Sequence, residues 1–192
     1  MSQSRTVKRK IDHINLCLTD QVEFKSKTNG FDNYEFVHNA ITEVVIDKID
    51  LSTIFYGSKI DYPLIISSMT GGARKAEKLN EKLAEVATFL NIPIGVGSQR
   101  QALEDNSYYS SYRVVKKAGG MVPILGNIGA AQVAQSKKPV DLIKSLIDMV
   151  DASAMIVHLN PLQELLQPEG EPNFKGLLVN LEKICAKIEK PM

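Results

Sequence analysis

The segment YPLIISSM, residues 62–69, decides the fold, because this short apolar run leads directly into an amphipathic helix. The helix is indicated by apolar side chains at helical spacing, which are Ala76, Leu79, Leu83, Val86 and Leu90. The same alternation returns with IPIGVGS at residues 92–98, VPILGNI at 122–128 and ASAMIVHLN at 152–160. Apolar strands joined by helices form parallel sheets that are buried on both faces. The sequence therefore predicts an α/β protein with four βα units.

The helices after the three later runs are bounded by the same periodicity. We expect the second to reach about Ala118 and the third to extend from about Ala131 to Val150. The fourth is marked by the apolar stripe Leu177, Leu181, Ile184 and Ile188.

Side chains that suit ligand binding follow every predicted strand. An open doubly wound sheet collects its ligands at one switch point, whereas a closed barrel gathers all strand ends around one mouth. We therefore predict a TIM (β/α)8 barrel. The side chains in strand order are Ser67, Ser68, Met69 and Thr70, then Ser98, Gln99 and Arg100, then Asn127, then His158, Asn160, Gln163 and Glu164.

The domain organisation is a lead-in, residues 1–60, followed by one barrel domain, residues 61–192. In the lead-in we predict an N-terminal helix, a polar loop at residues 20–39 and short strands from residue 41 onward that cap one end of the barrel. The four βα units fill about half of a typical barrel of about 250 residues. The last residues, 190–192, have the character of the approach to a fifth strand. We therefore expect a fragment or a truncated reading frame that contains the first half of a barrel.

The composition indicates a soluble cytoplasmic protein. The formal net charge is +1, so no global field attracts nucleic acid or an anionic membrane. No apolar run follows the basic N terminus, and no segment has the length of a transmembrane helix. Cys17 and Cys185 offer neither a disulfide framework nor metal-ligand spacing.

Three of the strand ends each admit two interpretations. SSMTGG, residues 67–72, is either a tight turn with a helix cap or a place where backbone amides and small side chains meet a ligand. Arg100 suits bidentate contact with phosphate or carboxylate, or forms a surface salt bridge. Asn127 in GNIGAAQ either reads the edge of a planar heterocycle or caps the next helix.

The densest polar cluster is HLNPLQELLQPEG, residues 158–170. His158, Asn160, Gln163 and Glu164 lie within seven residues, and this density favours a functional site. A single carboxylate suits Mg²⁺, which fills its remaining positions with substrate phosphates and water. Another cluster is basic and consists of Arg9, Lys10 and His13. It is either a solvated helix face or a cover over the barrel mouth that attracts a polyanion.

In this order on successive units, RKIDH, ISSMTGG, GVGSQR, GNIGA and HLNPLQELLQPEG closely resemble the motifs of type 2 isopentenyl-diphosphate isomerases, the FMN-dependent class. The resemblance implies the interconversion of isopentenyl diphosphate and dimethylallyl diphosphate by a 1,3-allylic proton shift in isoprenoid biosynthesis. It implies reduced FMN and Mg²⁺ as cofactors and NADPH as the reductant of the flavin. It also implies a homo-oligomer, a tetramer or octamer, in the full-length protein.

The resemblance assigns roles to the residues at the strand ends. Ser67, Ser68, Met69, Thr70, Ser98 and Asn127 correspond to FMN contacts. Arg9, Lys10, His13, Ser98, Gln99 and Arg100 correspond to substrate contacts, mostly to the diphosphate. His158, Asn160 and Gln163 correspond to catalytic and substrate contacts near the flavin, and Glu164 to the Mg²⁺ ligand.

Two other functions remain open. One is a different FMN-dependent barrel oxidoreductase, such as an α-hydroxy-acid oxidase or dehydrogenase, which shares the DLST type of lead-in and needs no metal ligand of the Glu164 type. The other is a non-catalytic, truncated phosphate-binding fragment. Mg²⁺ dependence without net oxidation of substrate distinguishes the isomerase from both.

Overall fold

The computed structural model describes residues 5–19, 22–119, 121–167 and 170–192. Its central feature is a parallel sheet in which β3 (Ile94–Gly95) pairs with β4 (Ile124–Gly129), and β4 pairs with β5 (Ala154–His158). Ile66 bridges to Ile94 on the other side of β3. Strand order therefore follows chain order, without the reversal that marks the switch point of a doubly wound sheet. The α/β prediction is confirmed.

The strand predicted at residues 62–69 is shorter than expected and pairs, within the described chain, through Ile66. The next position beyond β5 is occupied by the C-terminal residues, because Met155 N donates to Pro191 O at 2.9 Å. Residues 190–192 thus lie beside β5, and the fifth strand expected from this stretch remains a prediction.

The helices pack side by side along the chain: α2 (Arg74–Phe89) contacts α4 (Tyr109–Gly119), α4 contacts α6 (Pro139–Val150), and α6 contacts α8 (Leu177–Cys185). Between these lie α3 (Arg100–Glu104), α5 (Ala130–Gln135) and α7 (Pro161–Leu166). The packed helices and the sheet enclose the core, which includes Ile94, Val96, Tyr112, Val115, Ile124, Ile128, Ile143, Leu146, Met155 and Ile184.

Two of the predicted long helices are each split in two. The helix expected from about Ala131 to Val150 is interrupted after Gln135, because Pro139 lacks a backbone N–H and begins a new helix at its first position. The helix after β3 ends at Glu104, where the Asp105 carboxylate accepts from Ser107 N at 2.7 Å. Such local side-chain bonds compete with helix continuation.

The lead-in contains α1 (Arg5–Cys17) and an antiparallel hairpin of β1 (Thr53–Phe55) and β2 (Ser58–Ile60). Tyr56 and Gly57 both have positive φ, as a two-residue hairpin turn requires. Asp61 N donates to Asn91 O at 3.1 Å, which fixes the hairpin near the amino end of β3.

The remainder of the lead-in is largely irregular and exposed. Residues 22–39 form a loop with one 3-10 turn, Phe31–Asn33, and residues 20 and 21 of the predicted loop lie outside the described residues. The strand expected at residues 41–49 is wrong: a 3-10 turn, Ile46–Lys48, occupies this stretch, which pairs with no strand in the described chain. Its β-branched residues remain exposed, so they gain no cross-strand neighbours. Across the described ranges, no helix is both long and apolar enough to cross a bilayer.

Candidate active site

A cavity of about 270 Å³ opens at the carboxyl ends of the parallel strands. Its walls come from α1, from the segments after Ile66 and β3, and from β4, α5, β5 and α7. The lining residues are Arg9, Lys10, His13, Ser68, Met69, Ser98, Arg100, Asn127, Gly129, Gln132, His158, Gln163 and Glu164. Most of the residues that the sequence predicts for the site therefore meet at one place.

Helix α1 covers this mouth, which decides between the two interpretations of its basic cluster. Val7 is 2% exposed and packs in a small apolar cluster with Ala73 and Ala76 at the start of α2. One turn further along α1, Lys10 Nζ donates to Ser98 O at 3.0 Å. The apolar face of α1 thus packs against the start of α2, and its basic face points into the cavity.

Burial sets the protonation of the α1 side chains. Desolvation, with a smaller contribution from the Arg9 charge, lowers the pKa of Lys10 to about 8, so the ammonium form still predominates at pH 7. Desolvation and the charges of Arg9 and Lys10 outweigh Asp12 and lower the pKa of His13, which favours the neutral imidazole. The cavity therefore offers two cations and one neutral ring from a single helix.

Arg9, also on α1, is held by the segment that follows α7. Its Nη1 donates to Gln167 Oε1 at 3.0 Å, while its Nε is buried and has no hydrogen-bond partner among the described residues. A buried donor that lacks a partner is costly unless a ligand satisfies it. Arg9 is thus suited to receive an anionic group.

The turn before α2 depends on Tyr112, whose side chain is fully buried on α4. Gly71 and Gly72 have positive φ, and a Cβ on either would meet the Tyr112 ring or its hydroxyl within 2.6 Å. The Tyr112 hydroxyl donates to Ser98 O at 2.8 Å, the same carbonyl that accepts from Lys10. The glycine pair therefore lets Tyr112 pass beneath the turn and support the cavity wall.

Arg100 forms the salt bridges that one interpretation predicts and lies at the cavity, where the other interpretation requires it. It lines the cavity, yet its side chain is 13% exposed and forms ion pairs with Glu171 at 3.0 Å and with Glu104 at 3.5 Å. A guanidinium held by two carboxylates is fixed in orientation, which favours planar recognition of phosphate or carboxylate.

The polar cluster after β5 is organised by a helix cap. Asn160 Oδ1 accepts from Gln163 N at 3.0 Å at the N-terminus of α7, and Asn160 Nδ2 donates to Gln163 Oε1 at 3.1 Å. This arrangement turns Gln163 and Glu164 toward the cavity, where the exposed His158 also lies.

Four predicted site residues lie outside the lining of this cavity. Ser67 is exposed beside it, and Asn160 acts as the α7 cap. The Thr70 hydroxyl donates to the Asn80 side chain. Both residues are buried, and their hydrogen bond connects the turn to α2. Gln99, the residue before α3, is fully buried and turned away from the cavity: its Nε2 donates to Leu146 O at 2.9 Å and its Oε1 accepts from Asn127 N at 3.0 Å. The predicted direct contacts of these four side chains have no support in this geometry.

The sequence reasoning also missed two members of the site. Gln132 lines the cavity at the start of α5, with its side chain folded back against Gly129, where a Cβ would lie 2.2 Å from Gln132 Oε1. Glu171 accepts from Gln132 Nε2 at 2.9 Å and pairs with Arg100. The signal for Glu171 was its position just after the densest polar cluster, in a stretch interpreted only as a shaped loop.

The donors at the mouth fit a flavin. Ser68 Oγ is buried at the cavity wall without a hydrogen-bond partner among the described residues. Gly95 is required beside it, since a Cβ there would lie 2.3 Å from Ser68 Oγ. An unsatisfied hydroxyl next to Asn127 is what the polar edge of a planar heterocycle needs.

The acidic side chains at the cavity suit a metal ion only if a bound ligand supplies further coordinating atoms. Within the described ranges, no cluster of three or more His, Cys, Asp or Glu side chains is arranged to hold a metal ion. Glu164 is therefore one carboxylate at the cavity wall, and Mg²⁺ commonly uses one or two carboxylates plus substrate phosphates and water.

Comparison with known proteins is consistent with this site. Residues 2–111 match the model of the FMN-dependent dehydrogenase family. The chain is 46% identical over 187 residues to the isopentenyl-diphosphate delta-isomerase of Chlorobium limicola, covering 97% of this chain and 52% of that protein. The proteins of the same name from Pelodictyon phaeoclathratiforme and Pyrococcus furiosus are 47% and 44% identical, covering 100% and 98% of this chain and 53% and 49% of their own.

These matches confirm the resemblance that the motifs indicated. The chain spans about half the length of the curated relatives it matches. The match to the Pelodictyon phaeoclathratiforme protein covers the whole chain and so includes α1 and the polar cluster after β5.

Proposed function

This chain belongs to the FMN-dependent dehydrogenase family, and we propose that it supplies one half of the active site of an isomerase that interconverts isopentenyl diphosphate and dimethylallyl diphosphate. The observation that carries the proposal is the meeting of Arg9, Lys10 and Arg100 with Glu164 in one cavity at the strand ends. Cations beside a single carboxylate are the pattern expected for a diphosphate that shares a Mg²⁺ ion.

The cationic side chains bind and orient the diphosphate. Arg9 and Lys10 approach from α1, and Arg100 approaches from the other side at the end of β3. The half-buried or buried state of these side chains strengthens their attraction for phosphate, because water screens them less. With the diphosphate fixed, the five-carbon alkenyl chain extends toward His158 and Gln163.

The reaction moves a proton between two carbons without net redox change: one carbon gains a proton, another loses one, and the double bond shifts between them. Reduced FMN, when bound against Ser68 and Asn127, supplies acid and base chemistry. Neutral His13 and Gln163 contribute hydrogen bonds, and α1 excludes water from above. NADPH is proposed as the reductant that keeps the flavin reduced.

Glu164 is proposed as the Mg²⁺ ligand. Its Oε2 accepts from Glu171 N at 2.8 Å, and this bond fixes the carboxylate at the cavity wall. Because one carboxylate binds Mg²⁺ weakly, metal and diphosphate are expected to bind together. In the Glu164→Gln variant, the Mg²⁺ concentration for half-maximal activity should rise sharply; an unchanged requirement contradicts the role.

The fold and assembly complete the proposal. Residues 1–60 are the lead-in, and residues 61–192 form the first four βα units of a TIM barrel in a cytoplasmic protein. The sequential order of the parallel strands and the side-by-side helices support this. A homo-oligomer is supported by large apolar side chains that remain exposed in the lead-in, which include Phe24, Phe36, Val37 and Ile41.

The test is an isomerase assay in deuterated water with dithionite-reduced FMN, Mg²⁺ and isopentenyl diphosphate, followed by NMR. The protein is assayed alone and fused to the remaining portion of the Chlorobium limicola relative, because these residues span about half of that protein. Dimethylallyl diphosphate that carries deuterium is the expected product of the fused protein. Its absence, with flavin bound and the fusion folded, overturns the proposal.

The same assay separates the alternatives. An FMN-dependent oxidoreductase would consume one equivalent of an electron acceptor per substrate, whereas the isomerase consumes none. A non-catalytic phosphate-binding fragment would bind pyrophosphate yet leave isopentenyl diphosphate unchanged in both forms of the protein. The names of the similar proteins favour the isomerase.

A further inference from the structure

We propose that Glu171 is a positioning residue that holds the anion-binding and metal-binding side chains in one arrangement; this inference rests on the function proposed above. The Glu171 carboxylate accepts from Arg100 Nη2 at 3.0 Å and from Gln132 Nε2 at 2.9 Å. Its backbone N–H donates to Glu164 Oε2 at 2.8 Å. All three partners line the cavity, whereas Glu171 is not among the described residues that line it. Glu171 therefore acts through the residues that face the ligand.

The three partners belong to three different elements. Arg100 begins α3, Gln132 lies in α5 and Glu164 lies in α7, so one side chain and its backbone connect the segments that follow three successive strands. Loops and helix ends are commonly the more mobile parts of a fold. A single residue that bonds all three segments reduces the number of arrangements open to them.

Gly170 brings Glu171 to this position. A Cβ on Gly170 would lie 1.7 Å from Glu164 O, so the loop folds back against α7 only because this residue has no side chain. The fold-back places the next N–H against the Glu164 carboxylate. The sequence of the loop thus encodes the contact locally.

The carboxylate of Glu171 prepares Arg100 for its ligand. Glu171 takes Nη2, while Glu104 approaches Nε at 3.5 Å, so two nitrogens of one planar group are fixed. A guanidinium that is fixed beforehand loses less conformational freedom when it binds an oxyanion. Glu171 therefore lowers the entropy cost of diphosphate binding.

The N–H of Glu171 acts in the same way on the metal ligand. Carboxylates that bind metals are commonly oriented by hydrogen bonds from neighbouring groups, and loss of such a group costs about 10- to 100-fold in metal affinity or activity. Because Glu171 reaches Arg100 and Glu164 at once, it couples the position of the diphosphate to the position of Mg²⁺.

The test measures binding of inorganic pyrophosphate with Mg²⁺ by calorimetry, without turnover. Glu171→Gln removes the carboxylate charge that holds Arg100 and Gln132 and keeps the side-chain size and the backbone N–H to Glu164, so it tests the Arg100 side of the role. We expect the affinity to fall about 10- to 100-fold, as for the loss of a hydrogen bond to a charged group. Flavin affinity and the thermal midpoint should remain close to wild type. In the matched control Glu104→Gln, which removes the other carboxylate from Arg100, the loss should not exceed about fivefold, because this ion pair is longer, at 3.5 Å against 3.0 Å.

A double-mutant cycle decides whether Glu171 acts through Arg100. In an Arg100→Gln background, the further change Glu171→Gln should cost much less than it costs in wild type, because interacting residues are not additive. Wild-type affinity in Glu171→Gln, equal losses in both glutamate variants, or additive losses in the cycle would each overturn the proposal. If Glu171→Gln does not fold, Glu171→Asp takes its place, with an intermediate loss expected.

The outcomes also separate this inference from the proposed function. A protein whose Mg²⁺-pyrophosphate affinity depends on Glu171, but which forms no dimethylallyl diphosphate, supports the positioning role and refutes the function. A protein that isomerises its substrate, and whose affinity ignores Glu171, refutes the positioning role alone.

Discussion

The ammonium of Lys10 lies 3.0 Å from the carbonyl oxygen of Ser98 and joins the first helix of the chain to the carboxyl end of β3. The two residues are 88 positions apart in the sequence. Lys10 is 7% exposed, and its ammonium is poorly compensated, because the neighbouring Arg9 carries the same charge. A buried lysine whose ammonium donates to only one carbonyl oxygen destabilises the folded protein and is available to an anion.

Replacing Lys10 with Met should therefore separate stability from binding. Met keeps the length of the side chain and removes the buried charge, so the thermal midpoint at pH 7 should not fall. Affinity for Mg²⁺-pyrophosphate should fall about 10- to 100-fold, because hydrogen bonds to charged groups contribute about 1.5–3 kcal/mol. Scanning calorimetry and titration calorimetry measure the two quantities. Lys8→Met, an exposed change on the same helix, is the control and should alter neither.

The pH dependence of binding should identify the same group. Burial lowers the pKa of Lys10 to about 8, so the ammonium is lost as the pH rises through 8. The difference in pyrophosphate affinity between wild type and Lys10→Met should therefore be large at pH 7 and shrink above pH 8. Comparison of the two proteins cancels the titration of pyrophosphate itself. A difference that persists at pH 9.5 contradicts the assignment.

The folding stability of the wild-type protein should rise over the pH range in which its binding weakens. In the unfolded chain Lys10 titrates near 10.5, whereas in the folded protein its pKa is about 8, so the folded state pays the full cost of the buried charge below pH 8. The cost fades between pH 8 and 10.5. The stability advantage of Lys10→Met should accordingly be greatest at neutral pH and vanish toward pH 10.5.

A side chain at Gly72 should destabilise the protein, and comparison with Gly57 separates the steric contribution from the backbone contribution. Gly72 and Gly57 both have positive φ, but a Cβ at Gly72 would lie 2.6 Å from the Tyr112 hydroxyl, whereas nothing lies within 4 Å at Gly57. Gly57→Ala should thus cost about 1–2 kcal/mol for its left-handed backbone, and Gly72→Ala clearly more. Chemical denaturation compares the two variants. Equal losses of stability in the two variants would show that Tyr112 moves away from the added Cβ without a cost in free energy, which contradicts the prediction.

The sequence predicted those parts of the fold and site that depend on the regular spacing of apolar residues along the chain. The apolar runs and the helical spacing of apolar residues predicted the order of strands and helices. The positions of polar residues after the strands predicted that Ser68, Ser98, Asn127 and His158 meet at one cavity. Helix breaks were missed where local chemistry overrides the stripe, as at Pro139. The exposed segment at residues 41–49 has strand-like composition but no neighbouring strand in the described chain to pair with.

Contacts between distant loops were beyond the reach of periodicity. Glu171 meets Arg100 across 71 positions of the chain, and no spacing rule relates a loop carboxylate to a strand end. Strand alternation could not separate Ser98 from Gln99 either, because both lie after β3, in the turn into α3. Ser98 lines the cavity, whereas the Gln99 side chain bonds to α6.

This division between Ser98 and Gln99 yields the final prediction. Gln99→Leu leaves the buried Asn127 N–H without the acceptor that lies 3.0 Å away, so the free energy of unfolding should fall by about 1–3 kcal/mol. Pyrophosphate affinity of the folded variant should stay near wild type, because the Gln99 side chain does not line the cavity. Ser98→Ala is the matched variant and should show the reverse: reduced ligand affinity with little change in stability. Denaturation curves and titration calorimetry on both variants make the comparison. Weakened pyrophosphate binding in Gln99→Leu at unchanged stability would restore Gln99 to the substrate contacts that the resemblance assigned to it.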